Sequence, residues 1–386
     1  MTRRLIIRNG SFVNSYLPSQ GDLLIEDEKI VGVVSTNTEV WPDAEVIDAT
    51  GKFVLPGLVD PHTHIQLDTG IYKTDDDWDI GTKVAAYGGV TTVIDFATQF
   101  PNMTFQEALE HRLKEAQPAH IDYSFHMIIT TPPDQYDHAL FQQEMAALVQ
   151  QGITSVKLFT TYRPNYYIDD DALLSIFQLL PPSMVVMVHC ENDAMVSAAT
   201  QRLVQQAQTA LSNHAKARPP EAEYEAAARI ITLANLVDNS ITPYIVHCSW
   251  SKTFELLQTL RTFTDQFYIE TCPQYFWLDD SLYLTENAAH YIMQPPLRPA
   301  EDVKELQFQL PSFDVVATDH CDYHIEQKLA HQDFTKTPGG ITGLETSLQL
   351  TFTLYKQLLQ KAPLSFGEFW GSTPLTSLDD RIILGR

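Results

Sequence analysis

The pattern of hydrophobic and polar positions changes near residue 55. Before that point, four short runs rich in isoleucine and valine, at 4–7, 22–25, 30–34 and 44–47, are separated by polar turn residues. Short apolar runs joined by turns such as Asn9-Gly10 are typical of β-hairpins. The pattern therefore predicts a small β domain, which we assign to residues 1–54.

From residue 53 onward, β-rich runs alternate with amphipathic stretches. The eight runs lie at 53–59, 90–96, 121–128, 155–159, 184–188, 243–246, 266–270 and 314–317. The clearest helical stretches are 104–116, which opens with the capping box Thr104-x-x-Glu107, and 170–180, 191–208, 221–237 and 250–262. Eight strands alternating with helices predict an α/β fold, a TIM (β/α)8 barrel at residues 55–370. A doubly wound open sheet is the alternative, but no strand is followed by a G-x-G-x-x-G turn.

Composition and charge narrow the function. The chain has 386 residues, 44% of them hydrophobic, which suits a barrel of about 250 residues with an accessory domain. Its 25 basic and 49 acidic residues give a net charge of -24, so binding to nucleic acid is not expected. No run approaches the roughly 18 apolar residues of a membrane helix, and the four cysteines form no C-x-x-C pair. We expect a cytoplasmic protein that binds neither nucleic acid nor membranes.

Ionisable residues stand at or near the ends of five predicted strands. They are His62 and His64 after the first strand, Lys157 in the fourth, His189 and His247 after the fifth and sixth, and Asp319 after the eighth. Taken singly, each has an ordinary interpretation as a packed histidine, a lysine that reaches solvent or a helix-capping aspartate. The carboxyl ends of barrel strands meet at one mouth, however, and an unpaired buried charge is costly. The set therefore predicts a metal site.

These residues lie in motifs that resemble a known enzyme family. Further matching motifs are His189-Cys190-Glu191-Asn192, Glu270-Thr271-Cys272-Pro273-Gln274-Tyr275 and Thr318-Asp319-His320-Cys321. From about residue 4 to its end, the chain resembles the cyclic amidase branch of the amidohydrolase superfamily. That branch contains hydantoinases, dihydropyrimidinases, allantoinases and dihydroorotases.

The resemblance implies a pair of divalent metal ions, with zinc expected and manganese, iron or cobalt as alternatives. It implies that His62, His64 and Asp319 hold one ion and that His189 and His247 hold the other. A carboxylated Lys157 and a hydroxide would bridge the two ions. The implied reaction is hydrolysis of the ring amide of a small cyclic substrate, with Asp319 as general acid and base.

Four positions bear on the substrate. Tyr162, five residues after Lys157, matches a tyrosine through which hydantoinases and dihydropyrimidinases stabilise the oxyanion. Gln66 stands where dihydroorotases place an arginine, and it cannot form a charge-assisted pair with a substrate carboxylate. Gln294 and Gly339 fall at substrate-binding positions, where the hydantoinase group usually has serine and asparagine. A hydantoin or dihydropyrimidine ring is expected, with allantoin and dihydroorotate as alternatives.

Two expectations concern the assembly. In relatives, the chain returns to the small domain through strands that follow the barrel. This sequence ends at Arg386, and residues 371–386 are the segment expected to complete its small domain. The resemblance also implies a homo-oligomer, a dimer or a tetramer. A non-catalytic scaffold related to dihydropyrimidinases is the remaining alternative, although this chain keeps all six ligand positions.

Overall fold

The structure is a computed structural model that describes residues 2–12, 20–131, 137–264 and 267–361. These residues form two compact units, and the chain passes from the first unit to the second between Gly57 and Leu58. The domain limits 1–54 and 55–370 remain predictions. The predicted completion by 371–386 lies outside the described residues.

The first unit contains a five-stranded sheet. Its strands are β1 (Arg4–Phe12), β2 (Gln20–Glu26), β3 (Lys29–Val34), β4 (Glu45–Asp48) and β5 (Phe53–Val54). Strands β1 to β3 pair antiparallel, while β4 and β5 pair with β1 in parallel. A two-residue turn joins β2 to β3, and Asp27 adopts φ 54° there, as tight hairpins favour. The predicted β unit is confirmed as part of the fold.

The second unit is a parallel barrel. Its strands are β6 (Leu58–Asp60), β7 (Val90–Gln99), β8 (Asp122–Ile129), β9 (Ser155–Phe159), β10 (Val185–His189), β11 (Thr242–Ile245), β12 (Tyr268–Thr271) and β13 (Val315–Val316). Neighbours pair in chain order from β6 to β13. Just beyond the first and last strands, Thr63 and His320 form a parallel bridge, and the His64 N–H donates to the His320 carbonyl at 2.8 Å. The predicted TIM barrel is confirmed.

Helices follow most of the barrel strands. They are α1 (Trp78–Tyr87), α2 (Phe105–Glu115), α3 (His138–Gln150), α4 (Asp170–Leu179), α5 (Asp193–Gln205), α6 (His214–Ala217), α7 (Pro220–Ala234), α8 (Ser251–Leu260), α9 (Gln274–Trp277), α10 (Ala300–Gln309), α11 (Ile325–Leu329) and α12 (Ser347–Lys361). The five predicted helices correspond to α2, α4, α5, α7 and α8, and the capping box between Thr104 and Glu107 is present. No helix in the described ranges is long and apolar enough to cross a bilayer.

The predicted strand 53–59 is wrong as a single element. Its first part, Phe53–Val54, pairs with β1, whereas Leu58–Asp60 begins the barrel. Pro56 lies between the two parts and has no N–H to give to a ladder, so the strand is interrupted there. The Asp60 carboxylate accepts hydrogen bonds from the backbone N–H groups of His62 and Thr318, each at 3.2 Å, which joins the ends of the first and last strands.

The barrel interior is filled by apolar and aromatic side chains. They include Ile94, Phe96, Ile128, Met187, Tyr244, Val246, Tyr268 and Ala317. These side chains form a packed floor, so the ionisable residues at the strand ends face a cavity above it.

Candidate active site

A cavity of about 380 Å³ opens at the carboxyl ends of the barrel strands. It is lined by the six predicted metal ligands, which are His62, His64, Lys157, His189, His247 and Asp319. Three of the four predicted substrate positions, Tyr162, Gln294 and Gly339, line it as well. Residues spread over more than 250 positions of sequence are thus brought to one place by the ends of the strands.

Asp319 faces both histidines that follow the first barrel strand. Its Oδ1 atom lies 3.2 Å from His62 Nε2 and 3.0 Å from His64 Nε2. Thr63, between the two histidines in sequence, points away from Asp319, and its hydroxyl donates to the Asp95 carboxylate at 2.9 Å. Burial alone would raise the pKa of Asp319, but His62, His64 and Lys157 bring it down to about 2. Two imidazole nitrogens and a carboxylate oxygen, all close together, form a usual donor set for zinc.

The other three predicted ligands continue this cluster. The ring centroids of His189 and His247 are 4.5 Å apart, and those of His62 and His247 are 5.6 Å apart. Lys157 Nζ lies 3.4 Å from His62 Nε2. Burial lowers the pKa of Lys157 to about 8, so a larger fraction of this amine is uncharged than for an ordinary lysine at the same pH.

Burial also lowers the pKa values of His62, His189 and His247, so these imidazoles are neutral near pH 7. Neutral imidazoles present lone pairs to a cation, so the side chains present fit divalent metal ions.

Glu270, at the end of β12, contacts both parts of the cluster. Its Oε1 lies 2.8 Å from His62 Nδ1 and accepts from the His247 N–H at 2.9 Å. Its Oε2 accepts from the Tyr244 hydroxyl at 2.6 Å. Such outer carboxylates orient metal-binding histidines and fix their tautomer. Because Glu270 occupies Nδ1 of His62, Nε2 is the atom that faces the cavity.

Glu191 has the same relation to His189. The Glu191 carboxylate lies 2.7 Å from His189 Nε2 and forms a buried ion pair with Arg218. Burial would raise the pKa of Glu191, but Arg218 and His189 hold it below its usual value. With Nε2 occupied, His189 is left with Nδ1 for a ligand.

Glu191 and Glu270 lie in the matching motifs, but their role is not predicted from the sequence. The signal was available, because each is an acidic residue at or just after the end of an apolar barrel strand.

Tyr162 lies at the rim of the same cluster. Its ring centroid is 5.0 Å from that of His189, and the guanidinium of Arg218 lies 5.2 Å from the ring. Burial raises the pKa of Tyr162, so its hydroxyl keeps its proton and can donate a hydrogen bond. Its φ of 75° is in the left-handed region, where the chain turns after β9.

Of the predicted substrate-binding residues, Gln294 and Gly339 line the cavity and Gln66 does not. Gln66 is not among the residues that line the cavity; its side-chain oxygen accepts from the Trp78 N–H at the start of α1, at 3.3 Å. Gln294 and Gly339 do line it, and they lie against each other. A side chain at Gly339 would overlap the Gln294 amide and would have to displace it, so glycine leaves room for the amide in its present position.

A second group of possible ligands lies beside the cavity but is already paired. The ligand atoms of Asp76, His320 and Asp322 are within 4.8 Å of one another. His320 Nδ1, however, accepts from the Gly343 N–H at 3.1 Å. Its proton is therefore on Nε2, which donates to Asp76 Oδ2 at 3.2 Å. This tautomer has no lone pair left for a metal ion.

Comparisons with known proteins agree with one another. A model of the amidohydrolase family matches residues 45–108. A D-phenylhydantoinase from Escherichia coli is 38% identical over 378 residues, covering 96% of this chain and 80% of that relative. The crystal structure of a dihydropyrimidinase from Brevibacillus agri superposes with a TM-score of 0.86 at 33% identity, covering 95% of this chain and 79% of that one. An L-hydantoinase (dihydropyrimidinase) from Arthrobacter aurescens gives a TM-score of 0.79 at 25% identity, with coverage of 96% and 80%.

Proposed function

This chain belongs to the hydantoinase and dihydropyrimidinase branch of the amidohydrolases, and we propose that it opens the ring of a hydantoin or a dihydropyrimidine. It is an enzyme that hydrolyses cyclic amides. The observation that carries the substrate proposal is the meeting of four histidines, Asp319, Lys157 and the protonated Tyr162 in one cavity.

We propose that two divalent ions bind here, with zinc first and manganese, iron or cobalt as alternatives. His62, His64 and Asp319 would hold one ion, and His189 and His247 the other, with Lys157 between them. Lys157 would first be carboxylated: its uncharged Nζ forms a bond to the carbon of CO2 and releases a proton to solvent. The product is an anion that can bind two cations, which an ammonium cannot. When bound, the ions supply hydroxide as a nucleophile at neutral pH and polarise the substrate carbonyl.

The protein's own residues would then move protons and hold the ring. Asp319 Oδ1 faces His62 and His64, so Oδ2 takes the proton of the attacking oxygen. Asp319 gives that proton to the ring nitrogen as its bond to carbon breaks. Tyr162 donates to the oxygen of the former carbonyl while the carbon is tetrahedral. Gln294 and the backbone at Gly339 hold the imide, and the net change is one water added across the C–N bond.

The test is a ring-opening assay on the protein reconstituted with zinc or manganese and bicarbonate. Hydantoin, dihydrouracil, allantoin and dihydroorotate are offered at equal concentration, and the ureido-acid products are measured. The proposal expects hydantoin or dihydrouracil to be opened with the highest kcat/KM. A preference for dihydroorotate or allantoin, or no ring opening of any of the four, would contradict it.

We also infer a cytoplasmic homo-oligomer, a dimer or a tetramer. Support for the compartment comes from the four cysteines, which are all buried free thiols, as is usual in reducing surroundings. Support for the assembly comes from the family resemblance. Light scattering on the eluting protein would measure its mass, and a mass of 43.6 kDa, that of one chain, would contradict the inference.

A further inference from the structure

Lys328, in α11, is a buried lysine without an acidic partner. Its exposure is 5%, and none of the carboxylates in the described residues lies within ion-pair distance of it. Its Nζ instead donates to three backbone carbonyls, those of Ile292 at 2.8 Å, Pro338 at 2.9 Å and Gly340 at 2.8 Å. An ammonium has three donors, so the group is fully hydrogen-bonded.

The three carbonyls belong to two loops that line the cavity. Ile292 comes just before Met293 and Gln294, and Pro338 and Gly340 flank Gly339. The two loops also bond directly, since the Gly340 N–H donates to the Ile292 carbonyl at 2.9 Å. One ammonium thus joins the two segments proposed to hold the substrate's imide, at the place where they touch.

Other buried groups fix the first loop on either side of Gln294. His214 Nε2 donates to the Met293 carbonyl at 2.8 Å, and the Tyr275 hydroxyl donates to the Pro295 carbonyl at 2.8 Å. No such side-chain contact is seen for the carbonyls of Pro338 and Gly340 in the described part of the chain, apart from Lys328. In the described residues, the two loops are therefore joined by the direct bond from Gly340 to Ile292 and by the Lys328 ammonium, which adds a contact to each loop.

We propose that Lys328 is a positioning residue, which holds the Gln294 and Gly339 loops at the spacing that a small ring needs. The expected effect on substrate binding rests on the proposed function, whereas the anchoring of the two loops by Lys328 does not. None of the six proposed metal ligands is among the hydrogen-bond partners of Lys328. Losing the ammonium should weaken ring binding and leave metal binding and the chemical step intact.

The test compares Lys328→Met, which keeps most of the length of the side chain and removes its charge, with Lys336→Met. Lys336 lies in the same region with its side chain 62% exposed, so it serves as the matched control. Three quantities are measured: hydrogen exchange in peptides covering residues 291–297 and 337–343, bound metal per chain, and KM and kcat on the best ring substrate.

For Lys328→Met we expect faster exchange in both peptides, unchanged metal content, a KM raised by about tenfold and a kcat within about twofold of the parent. The control should match the parent in all three. Unchanged exchange and KM would overturn the proposal, and so would lost metal or a lowered kcat at unchanged KM, since either places the role of Lys328 elsewhere.

Hydrogen exchange is measured without substrate, so it tests the loop anchoring even if the protein opens no ring. Absence of ring opening would count against the proposed function alone. If Lys328→Met does not fold, the parent protein still provides a test. The Gly340 amide, held by the Ile292 carbonyl beside the ammonium, should exchange slowly in the parent, and rapid exchange there would overturn the anchoring.

Discussion

Oε1 of Glu270 lies 2.8 Å from Nδ1 of His62, while the other ring nitrogen of His62, Nε2, faces Asp319. The same oxygen accepts from the backbone N–H of His247, so one buried carboxylate contacts a proposed ligand of each metal ion. Its position fixes the tautomer of His62 and the start of the loop that carries His247. The metal site thus depends on a residue that would bind no metal itself.

Glu270→Gln should weaken metal binding. The amide cannot accept the His62 proton with the strength of a carboxylate, and loss of such outer partners costs about 10–100-fold in affinity. Competition with a chelator measures this. Glu286→Gln, at an exposed glutamate, is the control; equal affinity in Glu270→Gln and the parent would show that His62 does not need this partner.

Lys157→Ala should remove the group proposed to bridge the ions. We expect loss of bound metal and a fall in ring-opening rate of about 1,000-fold or more, because the stabilisation by the ions is lost. Elemental analysis and the ring-opening assay check both. Lys83→Ala, an exposed lysine paired with Asp79, should behave as the parent. Retained metal and activity in Lys157→Ala would contradict the bridging role.

Tyr162→Phe should lower kcat without loss of metal. Removing one donor to an oxyanion costs about 2.7–4 kcal/mol, or about 100–1,000-fold in rate. Steady-state kinetics on the preferred substrate, with metal content measured in parallel, distinguish this from damage to the site. Tyr224→Phe, at a partly exposed tyrosine, controls for the substitution. A kcat within about twofold of the parent would exclude the oxyanion role.

His214 should make the protein sensitive to acid. Burial lowers its pKa to about 4, against about 6.5 in an unfolded chain. Between these values the unfolded chain binds a proton that the folded protein excludes, so stability falls as pH drops below about 6.5. The loss from this residue between pH 7 and pH 5 is about 2 kcal/mol.

Urea unfolding of His214→Gln at pH 7 and pH 5 measures this contribution. The glutamine amide can still donate to the Met293 carbonyl, so the variant should lose less stability on acidification than the parent. His111→Gln, whose side chain is 66% exposed in the parent, should keep the parent's pH dependence. An unchanged pH dependence in His214→Gln would contradict the assignment.

Much of this architecture is predictable from sequence because it depends on local pattern. Apart from the first barrel strand, which is interrupted at Pro56, the barrel strands and five of the helices are visible in the alternation of apolar and polar positions. The meeting of His62 with Asp319 followed from a property of the fold, since all barrel strands end at one mouth. Tyr162 was identified only by its spacing from Lys157 and a family resemblance.

The rest depended on contacts between distant segments. Gln66 has positive φ and turns its side chain to α1, which no local pattern indicates. The role of Lys328 depends on three backbone carbonyls, and carbonyls are the same in every residue, so the sequence carries no sign of them. The interruption at Pro56 was readable in principle, because proline cannot donate to a ladder.

The most direct test of the account is a crystal structure of the protein grown with zinc and bicarbonate, with anomalous data collected above the zinc edge. We predict two anomalous peaks in the cavity, one beside His62, His64 and Asp319 and one beside His189 and His247, with density for a carboxylate extending from Lys157 Nζ. A cavity without anomalous peaks, or a peak only at Asp76, His320 and Asp322, would contradict it.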